Sequence, residues 1–364
     1  QEVKKKGRSA LPLVFIGFIV LGLLAFAITR IFHFGNAVDV SKIPQIENRQ
    51  FVAVEKGEDI EIIQASGTKI RGRYYGEMEK GKPHGKGAFM AFDDQNPWVY
   101  SGEWKEGVYH GYGKSFDKDG SYYFEGLIQD GVAQGKGFIY DANFGEYEGD
   151  FEKDLFHGKG VQRFNNGDTY EGDYQHDYRH GKGEYTWSTG DKYTGDFVQN
   201  KLEGKGRLIY QDQGIYEGDF VDGLRHGKGI YQWPSGDVYD GDWVEGNKEG
   251  RGTMAFATGD VYEGDFLKGL YHGKGTMVWS DGTVYTGDWL DGKAHGQGEE
   301  SREDGSVYRG EFKEGYISGY GTKNYAVGDV YEGQWEKDQR HGEGTYTWAN
   351  GDKFVGQFVD GMRE

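Results

Sequence analysis

The sequence predicts an all-β repeat array, in which stacked β-hairpins form an elongated, twisted single-layer sheet, preceded by one transmembrane α-helix. The first observation is a 23-residue period, seen when Tyr262-Glu263-Gly264-Asp265-Phe266 returns as Tyr285-Thr286-Gly287-Asp288-Trp289. A fixed period of this kind is typical of repeat architectures. The second is that Phe, Trp and Tyr make up 16% of the chain. The third is a run of 20 uncharged residues, Ala10 to Thr29, ahead of the repeats.

The opening aromatic residue of each copy sets the register of the array. Looser copies start at Tyr74, Tyr100 and Phe124, and regular copies follow at a spacing of 23 residues from Tyr147 to Phe354. The regular starts are Tyr147, Tyr170, Tyr193, Tyr216, Tyr239, Tyr262, Tyr285, Tyr308, Tyr331 and Phe354. Residues 74–364 are therefore predicted to hold twelve full copies and part of a thirteenth. Since arrays grow by adding similar units, one elongated domain is expected there.

Each copy is predicted to be one hairpin. Tyr331, Gly333 and Trp335 alternate along the first strand and so share one face. A polar stretch at 336–340 reads as the connecting turn. The return strand carries its own alternate set, which is Gly342, Gly344, Tyr346 and Trp348. Paired glycines weaken a strand unless the missing side chains make room, so we expect aromatic rings to lie over bare backbone.

The motif Tyr-x-Gly-Asp-aromatic, followed by Gly and then His-Gly-Lys-Gly, is similar to the MORN repeat. The resemblance covers about four fifths of the chain. It implies a rod of stacked β-hairpins, which the family uses mainly to hold other proteins or to sit at membranes, and it implies no reaction. The His is replaced by Gln134, Glu203, Glu249 and Ser318, and the Asp by Glu77, Glu103, Leu127, Glu311, Gln334 and Gln357. Roles that need His or Asp in every copy are therefore not carried over.

The amino-terminal region predicts a membrane anchor. We assign 1–9 to a basic cytoplasmic tail, 10–32 to a transmembrane helix, 33–50 to a tether and 51–73 to an N-terminal β cap. A run of 20 apolar residues matches the thickness of a bilayer core. The anchor side chains are Leu11, Phe15, Ile19, Leu23 and Phe26. A cleavable signal peptide is the alternative, although its apolar core is shorter and Ala25-Phe26-Ala27 is a poor cleavage site.

Flanking charges predict the orientation of this anchor. Lys4, Lys5, Lys6 and Arg8 precede the apolar run, and only Arg30 and Lys42 follow closely. The positive-inside rule then keeps the amino terminus in the cytoplasm and places the repeats outside it. The chain has no Asn-x-Ser/Thr sequon, which favours a bacterial source. We therefore expect a single-pass protein of the cell membrane with extracytoplasmic repeats.

The sequence predicts that the first edge of the sheet is covered and that the last edge is not. Alternating runs around Val52–Glu55 and Ile60–Gln64 read as strands that cap the first edge. At the other end, Phe354–Phe358 starts a hairpin whose return strand is expected to be absent. Because an uncovered sheet edge pairs readily, it is a candidate surface for a homo-oligomer or a partner.

Charge excludes some partners of the array. The chain has 42 Lys and Arg against 60 Asp and Glu, a net charge of −18, and residues 1–33 contribute +4 to that sum. The remainder is therefore strongly acidic, and such a surface repels nucleic acid and anionic lipid headgroups. The chain has no cysteine, so no disulfide framework is expected.

Two polar ladders are interpreted as structural, and no metal site, cofactor or catalytic set is predicted. The His ladder is His84, His110, His157, His180, His226, His272, His295 and His341. Its members are expected ~10 Å apart, too far to share an ion, and we interpret each as fastening a turn to its neighbour. The Asp ladder is Asp150, Asp173, Asp196, Asp219, Asp242, Asp265 and Asp288. We expect lysines of the His-Gly-Lys-Gly segments to neutralise it across strands.

An aromatic stripe on the return strands is the candidate binding surface. Its members are Tyr185, Trp187, Tyr210, Tyr231, Trp233, Phe256 and Trp279. Core packing explains most of these rings, and those that line a groove can grip a partner. The stripe is interrupted at Glu300 and Arg302.

These observations favour a membrane-anchored, non-catalytic scaffold that presents the rod to protein partners at the cell envelope. The alternatives are a cell-wall or glycan-binding module and an accessory stalk of a larger enzyme assembly.

Overall fold

The computed structural model describes residues 57–92 and 97–364, and every regular element in those ranges is a β-strand. Within them no helix has the length and apolar character needed to cross a membrane. Several predictions lie outside the described residues: the segments 1–9, 10–32 and 33–50, the run Val52–Glu55, and the anchor side chains Leu11, Phe15, Ile19, Leu23 and Phe26.

The chain divides into two compact units, Gln1–Tyr178 and Arg179–Glu364, here called the first unit and the second unit. The described strands of the first unit are β1 (Glu58–Ile63), β2 (Lys69–Glu79), β3 (Lys82–Ala91), β4 (Trp98–Lys105), β5 (Val108–Asp117), β6 (Tyr122–Gln129), β7 (Val132–Asp141), β8 (Gly145–Glu152), β9 (Leu155–Phe164) and β10 (Thr169–Gln175).

The strands of the second unit begin with β11, which starts at the unit boundary. They are β11 (Tyr178–Thr186), β12 (Lys192–Val198), β13 (Lys201–Tyr210), β14 (Gly214–Val221), β15 (Leu224–Gln232), β16 (Val238–Val244), β17 (Asn247–Ala255), β18 (Val261–Leu267), β19 (Leu270–Val278), β20 (Val284–Leu290), β21 (Lys293–Ser301), β22 (Val307–Lys313), β23 (Tyr316–Asn324), β24 (Val330–Glu336), β25 (Gln339–Thr347), β26 (Lys353–Val359) and β27 (Met362–Arg363).

Within each unit, every strand pairs antiparallel with the next strand in sequence. The prediction of stacked β-hairpins is confirmed. Ahead of the first copy, β1 pairs with β2 through Ile60 and Gly72. The irregular copy that starts at Phe124 also forms a hairpin, β6–β7.

Hairpin β18–β19 shows how one copy turns. Lys268 and Gly269 both have positive φ, 50° and 84°, as a two-residue type I′ hairpin turn requires. Farther along the hairpin the register shifts, because Gly264 pairs with Gly275 while the next residue, Asp265, pairs with His272. This shift is a β-bulge, which bends the strand and increases its twist.

A tyrosine ring lies over the paired glycines of each regular hairpin. Tyr262 is fully buried, and its hydroxyl donates a hydrogen bond to the carbonyl oxygen of Asp265 at 2.9 Å. A Cβ atom added to Gly275 would lie 2.4 Å from the Tyr262 hydroxyl oxygen. Glycine is therefore required under the ring, as expected. The same buried tyrosine recurs at Tyr100, Tyr147, Tyr170, Tyr193, Tyr216, Tyr239, Tyr285, Tyr308 and Tyr331.

Rings of successive copies meet edge to face. The Tyr262 ring contacts the Phe266 ring of its own copy and the Trp289 ring of the next, in both cases with centroids 5.2 Å apart and planes at 88°. Trp289 also donates from Nε1 to the carbonyl oxygen of Gly275 at 3.1 Å. Such ring pairs add about 0.5–1.5 kcal/mol beyond their buried area. The predicted aromatic layer therefore joins one hairpin to the next, together with the backbone pairing of β19 with β20.

The last hairpin differs from the prediction. A return strand was expected to be absent after Phe354–Phe358, but β27 pairs with β26 through Val359↔Met362 and Phe358↔Arg363. Asp360 and Gly361 have φ values of 46° and 81°, so they repeat the turn of the regular copies. This turn comes early enough for Met362 and Arg363 to form a two-residue return strand, so the prediction that the return strand is absent is wrong.

We expect Gly275→Ala to lower the free energy of unfolding by about 1–3 kcal/mol, because the added methyl group overlaps the Tyr262 ring. Gly269→Asn is the matched control, since Gly269 has nothing within 4 Å and asparagine tolerates its positive φ. Guanidinium denaturation followed by circular dichroism measures both. Equal midpoints for the two variants would contradict the ring-over-glycine arrangement.

Candidate functional site

The predicted stripe resolves into two columns in the second unit. Tyr185 and Tyr231 belong to an inner column and are only 9% and 5% exposed. The outer column consists of half-buried rings spaced by 23 residues: Trp187, Tyr210, Trp233, Phe256 and Trp279. Five of the seven predicted residues therefore offer an accessible ring, and the other two pack in the core.

The outer column is held at the turns between copies. The amide of Trp233 donates to the carbonyl of Asp237 at 2.9 Å, and the amide of Gly236 donates back to Trp233 at 3.0 Å. The Asp237 carboxylate then accepts from the amide of Ala257 in the next turn at 2.8 Å. This bond lowers the pKa of Asp237. Successive turns are thus bonded to one another, and the rings they carry have fixed backbones.

Cations of the chain itself lie on the ring layer, which the sequence analysis missed. The Arg225 guanidinium is 4.4 Å from the centroid of Trp243 and 5.3 Å from that of Tyr231. The Lys248 ammonium is 5.5 Å from Trp233 and 5.4 Å from Tyr239. Burial lowers the pKa of Lys248. The sequence contains a signal for these cation–ring contacts, which is a basic residue nine positions after the opening aromatic of several copies.

The Asp ladder has the structural role that was predicted. Asp265 accepts a hydrogen bond from the amide of Lys274 at 2.9 Å across the bulge of its own hairpin. Its other oxygen lies 3.4 Å from Arg251 on the preceding strand. The expected lysine pairs are present as Lys182–Asp196, Lys205–Asp219 and Lys228–Asp242, each at 2.7 Å. The Lys274 ammonium likewise lowers the pKa of Asp288.

Histidine does not make the fastening hydrogen bond predicted for the His ladder at His110 and His272, because their buried Nδ1 atoms have no hydrogen-bond partner among the described residues. The bond is made where a carboxylate replaces histidine. Glu203 accepts from the amide of Asp222 in the next hairpin turn at 3.0 Å, and Glu249 accepts from Lys268 at 3.0 Å. His110 and His272 approach the next turn less closely, with Nδ1 lying 3.6 Å and 4.0 Å from carboxylate oxygens of Asp130 and Asp291. The side chain at the His-ladder position therefore faces the next hairpin turn. A carboxylate at this position accepts a hydrogen bond from that turn, and the imidazole of His110 or His272 does not.

One group of metal-capable side chains lies in the first unit. Ligand atoms of Glu152, His157 and His176 fall within 4.8 Å of one another. The Glu152–His157 contact, at 3.3 Å, is the ordinary pair across a hairpin turn, since Glu79–His84 and Glu336–His341 lie at 3.4 Å and 3.7 Å. His176 stands outside the ladder and is exposed. The Glu–His pair of this group thus recurs in other hairpins without a third ligand. The ordinary contact across a hairpin turn therefore explains why Glu152 and His157 lie close together.

A second accessible row was not foreseen. Aliphatic side chains at the hairpin-turn end of the second unit are 38–43% exposed, and they are Val198, Val221, Val244, Leu267 and Leu290. The outer column lies at the opposite ends of the strands, beside the turns between copies. Repeated exposed apolar side chains are typical of interaction surfaces. The unit thus offers one aromatic and one aliphatic row.

Comparison with known proteins identifies the repeat. The MORN repeat model matches eleven segments, which are 74–90, 100–122, 147–169, 170–192, 193–215, 216–238, 239–261, 262–284, 285–307, 308–330 and 331–353. The chain belongs to the MORN repeat family. The copy at Phe124 is not among the matches, although it forms the hairpin β6–β7. It lacks the tyrosine hydroxyl, and Leu127 replaces the Asp of the motif.

The other comparisons add little. No curated protein matches the chain. Among solved structures, the SAS-4 TCP domain of Drosophila melanogaster, in complex with a proline-rich motif of Ana2, is 12% identical, with a TM-score of 0.26 over 49% of this chain and 85% of that one. Virginiamycin B lyase from Staphylococcus aureus is 11% identical, with a TM-score of 0.14 over 54% of this chain and 83% of that one.

A buried carboxyl group in the first unit has a strongly shifted pKa. Asp117 is 2% exposed and accepts hydrogen bonds from the Ser121 hydroxyl at 2.9 and 3.2 Å. Burial raises the pKa of Asp117 from 3.8 to about 8, with Asp119 adding to the shift. The folded protein therefore holds this proton more tightly than the unfolded chain does.

This shift predicts a pH-dependent variant. Between the unfolded pKa of 3.8 and the folded value of about 8, rising pH removes stability, because the unfolded chain releases its proton first. Asp117→Asn removes that loss, so the stability of the variant relative to the wild type should rise from pH 4 to pH 8 and then level off. Chemical denaturation at several pH values measures this difference. A difference that does not change with pH would contradict the assignment.

Proposed function

We propose that this MORN repeat protein is a membrane-anchored, non-catalytic scaffold that holds a protein partner at the cell envelope through the outer column of its second unit. MORN repeats form a scaffold suited to protein interaction. The observation that carries the finer proposal is the outer column itself, with five half-buried rings at equal sequence spacing. Aromatic side chains held in this way are favoured anchors at protein interfaces.

The backbone under the column supports this role. Each turn that carries Trp187, Trp233, Phe256 or Trp279 is closed by a pair of backbone hydrogen bonds of 2.8–3.0 Å. A rigid aromatic side chain loses little conformational freedom on binding. Because the same ring recurs in successive copies, the column suits an extended partner that meets several copies. Arg302 occupies the next position and ends the apolar run.

The amino-terminal segment supplies the membrane part of the proposal. The 20 uncharged residues from Ala10 to Thr29 follow a basic start, which favours a helix over 10–32 with its amino terminus in the cytoplasm. The repeats then lie outside the cytoplasm of what we propose to be a bacterial cell. The acidic array is repelled by anionic headgroups, so the anchor and not the array provides the membrane contact.

A glycan partner is the second candidate. The half-buried faces of Trp187, Trp233 and Trp279 favour it, since aromatic rings also pack against sugar rings.

Capture of the partner tests the role of the column. After mild crosslinking of the full-length protein in native membranes, we expect a co-purifying protein whose yield falls at least threefold in Trp187→Ala, Trp233→Ala or Trp279→Ala. Tyr316→Ala is the control, because Tyr316 is 49% exposed in the same unit but stands outside the column. Unchanged capture by all three folded variants would contradict a role of the outer column in binding the partner. Recovery of wall polymer without protein would favour the glycan candidate.

Cysteine labelling tests the orientation. The chain has no cysteine, so one introduced residue reports a single site. Val327→Cys lies at a position that is 74% exposed in the array, and Ser9→Cys lies in the basic tail. A membrane-impermeant maleimide applied to cells with intact inner membranes should label Val327→Cys and leave Ser9→Cys unmodified. The reverse pattern would contradict the proposed orientation.

A further inference from the structure

The position nine residues after the opening aromatic places a cation on the ring layer in several copies. The occupants are Arg179, Arg225, Lys248 and Arg340. Each lies over an aromatic ring of the following copy, which is Phe197 at 5.9 Å, Trp243 at 4.4 Å, Phe266 at 5.5 Å and Phe358 at 5.4 Å respectively. A cation over an aromatic face is attracted by the ring quadrupole. The array thus builds the same cation position repeatedly and fills it with its own side chain.

The turn of the next hairpin supplies an oxygen to this cation. Asn200 Oδ1 accepts from the amide of Arg179 at 2.9 Å and from Nε of the same side chain at 3.2 Å. Arg340 donates from Nη2 to the carbonyl of Gly361 at 2.7 Å. Rings on one side and a turn oxygen on the other therefore define the position.

The copy that starts at Phe124 keeps this arrangement but lacks the cation. Its ninth residue is Ala133, whose amide donates to Oδ1 of Asp154 at 2.6 Å. Asp154 follows Ala133 by 21 residues, as Asn200 follows Arg179, and makes the same backbone bond. The ring of the next copy is also present, since Phe124 and Phe151 meet edge to face at 5.6 Å. The same bond recurs where the ninth residue is large and apolar, from the amide of Phe156 to Asp177 at 2.7 Å and from that of Ile317 to Asp338 at 2.8 Å. Ala133 differs from these residues in its small side chain, which leaves space beside the carboxylate.

A cavity lies beside Ala133 in this copy. It encloses about 50 Å³ and is lined by residues of β4 to β8 and the turn at Asp154, including Phe124, Phe151 and Ala133. A single water needs only about 10–15 Å³ of such space. The cavity therefore has room for a group larger than one water molecule.

Two hydroxyl groups in the cavity wall have no hydrogen-bond partner among the described residues. Tyr109 Oη and Ser115 Oγ both line the cavity, and their residues are 4% and 2% exposed. A buried hydroxyl without a partner costs about 1–3 kcal/mol, so native structures usually satisfy it. Burial also raises the pKa of Asp154, although its carboxylate accepts a hydrogen bond from the Ala133 amide. An occupant with N–H donors satisfies all three groups.

We propose that this cavity, lined by β4 to β8 of the first unit, binds one alkylammonium or guanidinium group. Asp154 pairs with the positive charge, Ser115 and Tyr109 accept hydrogen bonds, and Phe124 and Phe151 cover the apolar part of the ligand. Such a group belongs either to a free small cation or to a Lys or Arg side chain of a partner. The site is separate from the outer column of the second unit and does not depend on what that column binds.

Ligand-observed NMR with the full-length protein in detergent tests the proposal. The probes are n-butylammonium, ethylguanidinium, the neutral n-butanol and the peptide Gly-Lys-Gly. We expect both cations to bind at least tenfold more tightly than n-butanol. Binding of the peptide as well assigns the site to a partner side chain, whereas binding of the small cations alone assigns it to a free ligand. Equal binding of n-butanol would overturn the proposal.

Two variants and one control locate the site. Asp154→Asn keeps an acceptor for the Ala133 amide but removes the charge, and should weaken n-butylammonium binding at least tenfold. Ala133→Arg restores the chain's own cation, and should abolish probe binding while raising the melting temperature. Asp130→Asn, in an exposed turn of the same unit, should change neither. Unchanged binding in Asp154→Asn, or a lower melting temperature in Ala133→Arg, would overturn the proposal.

Discussion

The structure depends on one contact, a tyrosine ring lying over a pair of glycines in every hairpin that opens with tyrosine. The hydroxyl reaches the backbone three residues on, as Tyr262 does to Asp265 at 2.9 Å, and the missing Cβ atoms leave room for the ring. That ring then presents its edges and face to rings of its own and the next copy. Because a hairpin alone is marginal in water, this shared layer is what makes the array stable.

The same layer explains where the proposed binding surfaces lie. A fully buried ring stabilises the stack. A ring of the outer column, beside the turns between copies, keeps one face accessible. Cations from Arg179, Arg225 and Lys248 lie on the layer in the second unit. In the first unit Ala133 leaves that position open beside Asp154. Small changes at one repeat position thus convert a packing contact into a binding site.

Sequence reasoning predicted what the period determines. The hairpins, the glycines under the rings and the lysine–aspartate pairs follow from spacing, because each copy repeats the same local geometry. It did not separate Tyr231, which is buried, from Trp233, which is accessible, since both lie on one strand face and only packing of the next copy distinguishes them. The cation position and the cavity at Ala133 also depend on contacts between copies. The transmembrane helix over 10–32 remains a prediction.

A double-mutant cycle on Tyr262 and Trp289 tests the central claim most directly, because these rings join consecutive copies at 5.2 Å. Replacing each by Leu, singly and together, should give a coupling of about 0.5–1.5 kcal/mol in the free energy of unfolding. The pair Tyr262 and Trp335, which stand in copies that do not adjoin, should be additive to within about 0.5 kcal/mol. Additivity of the first pair as well would contradict the account.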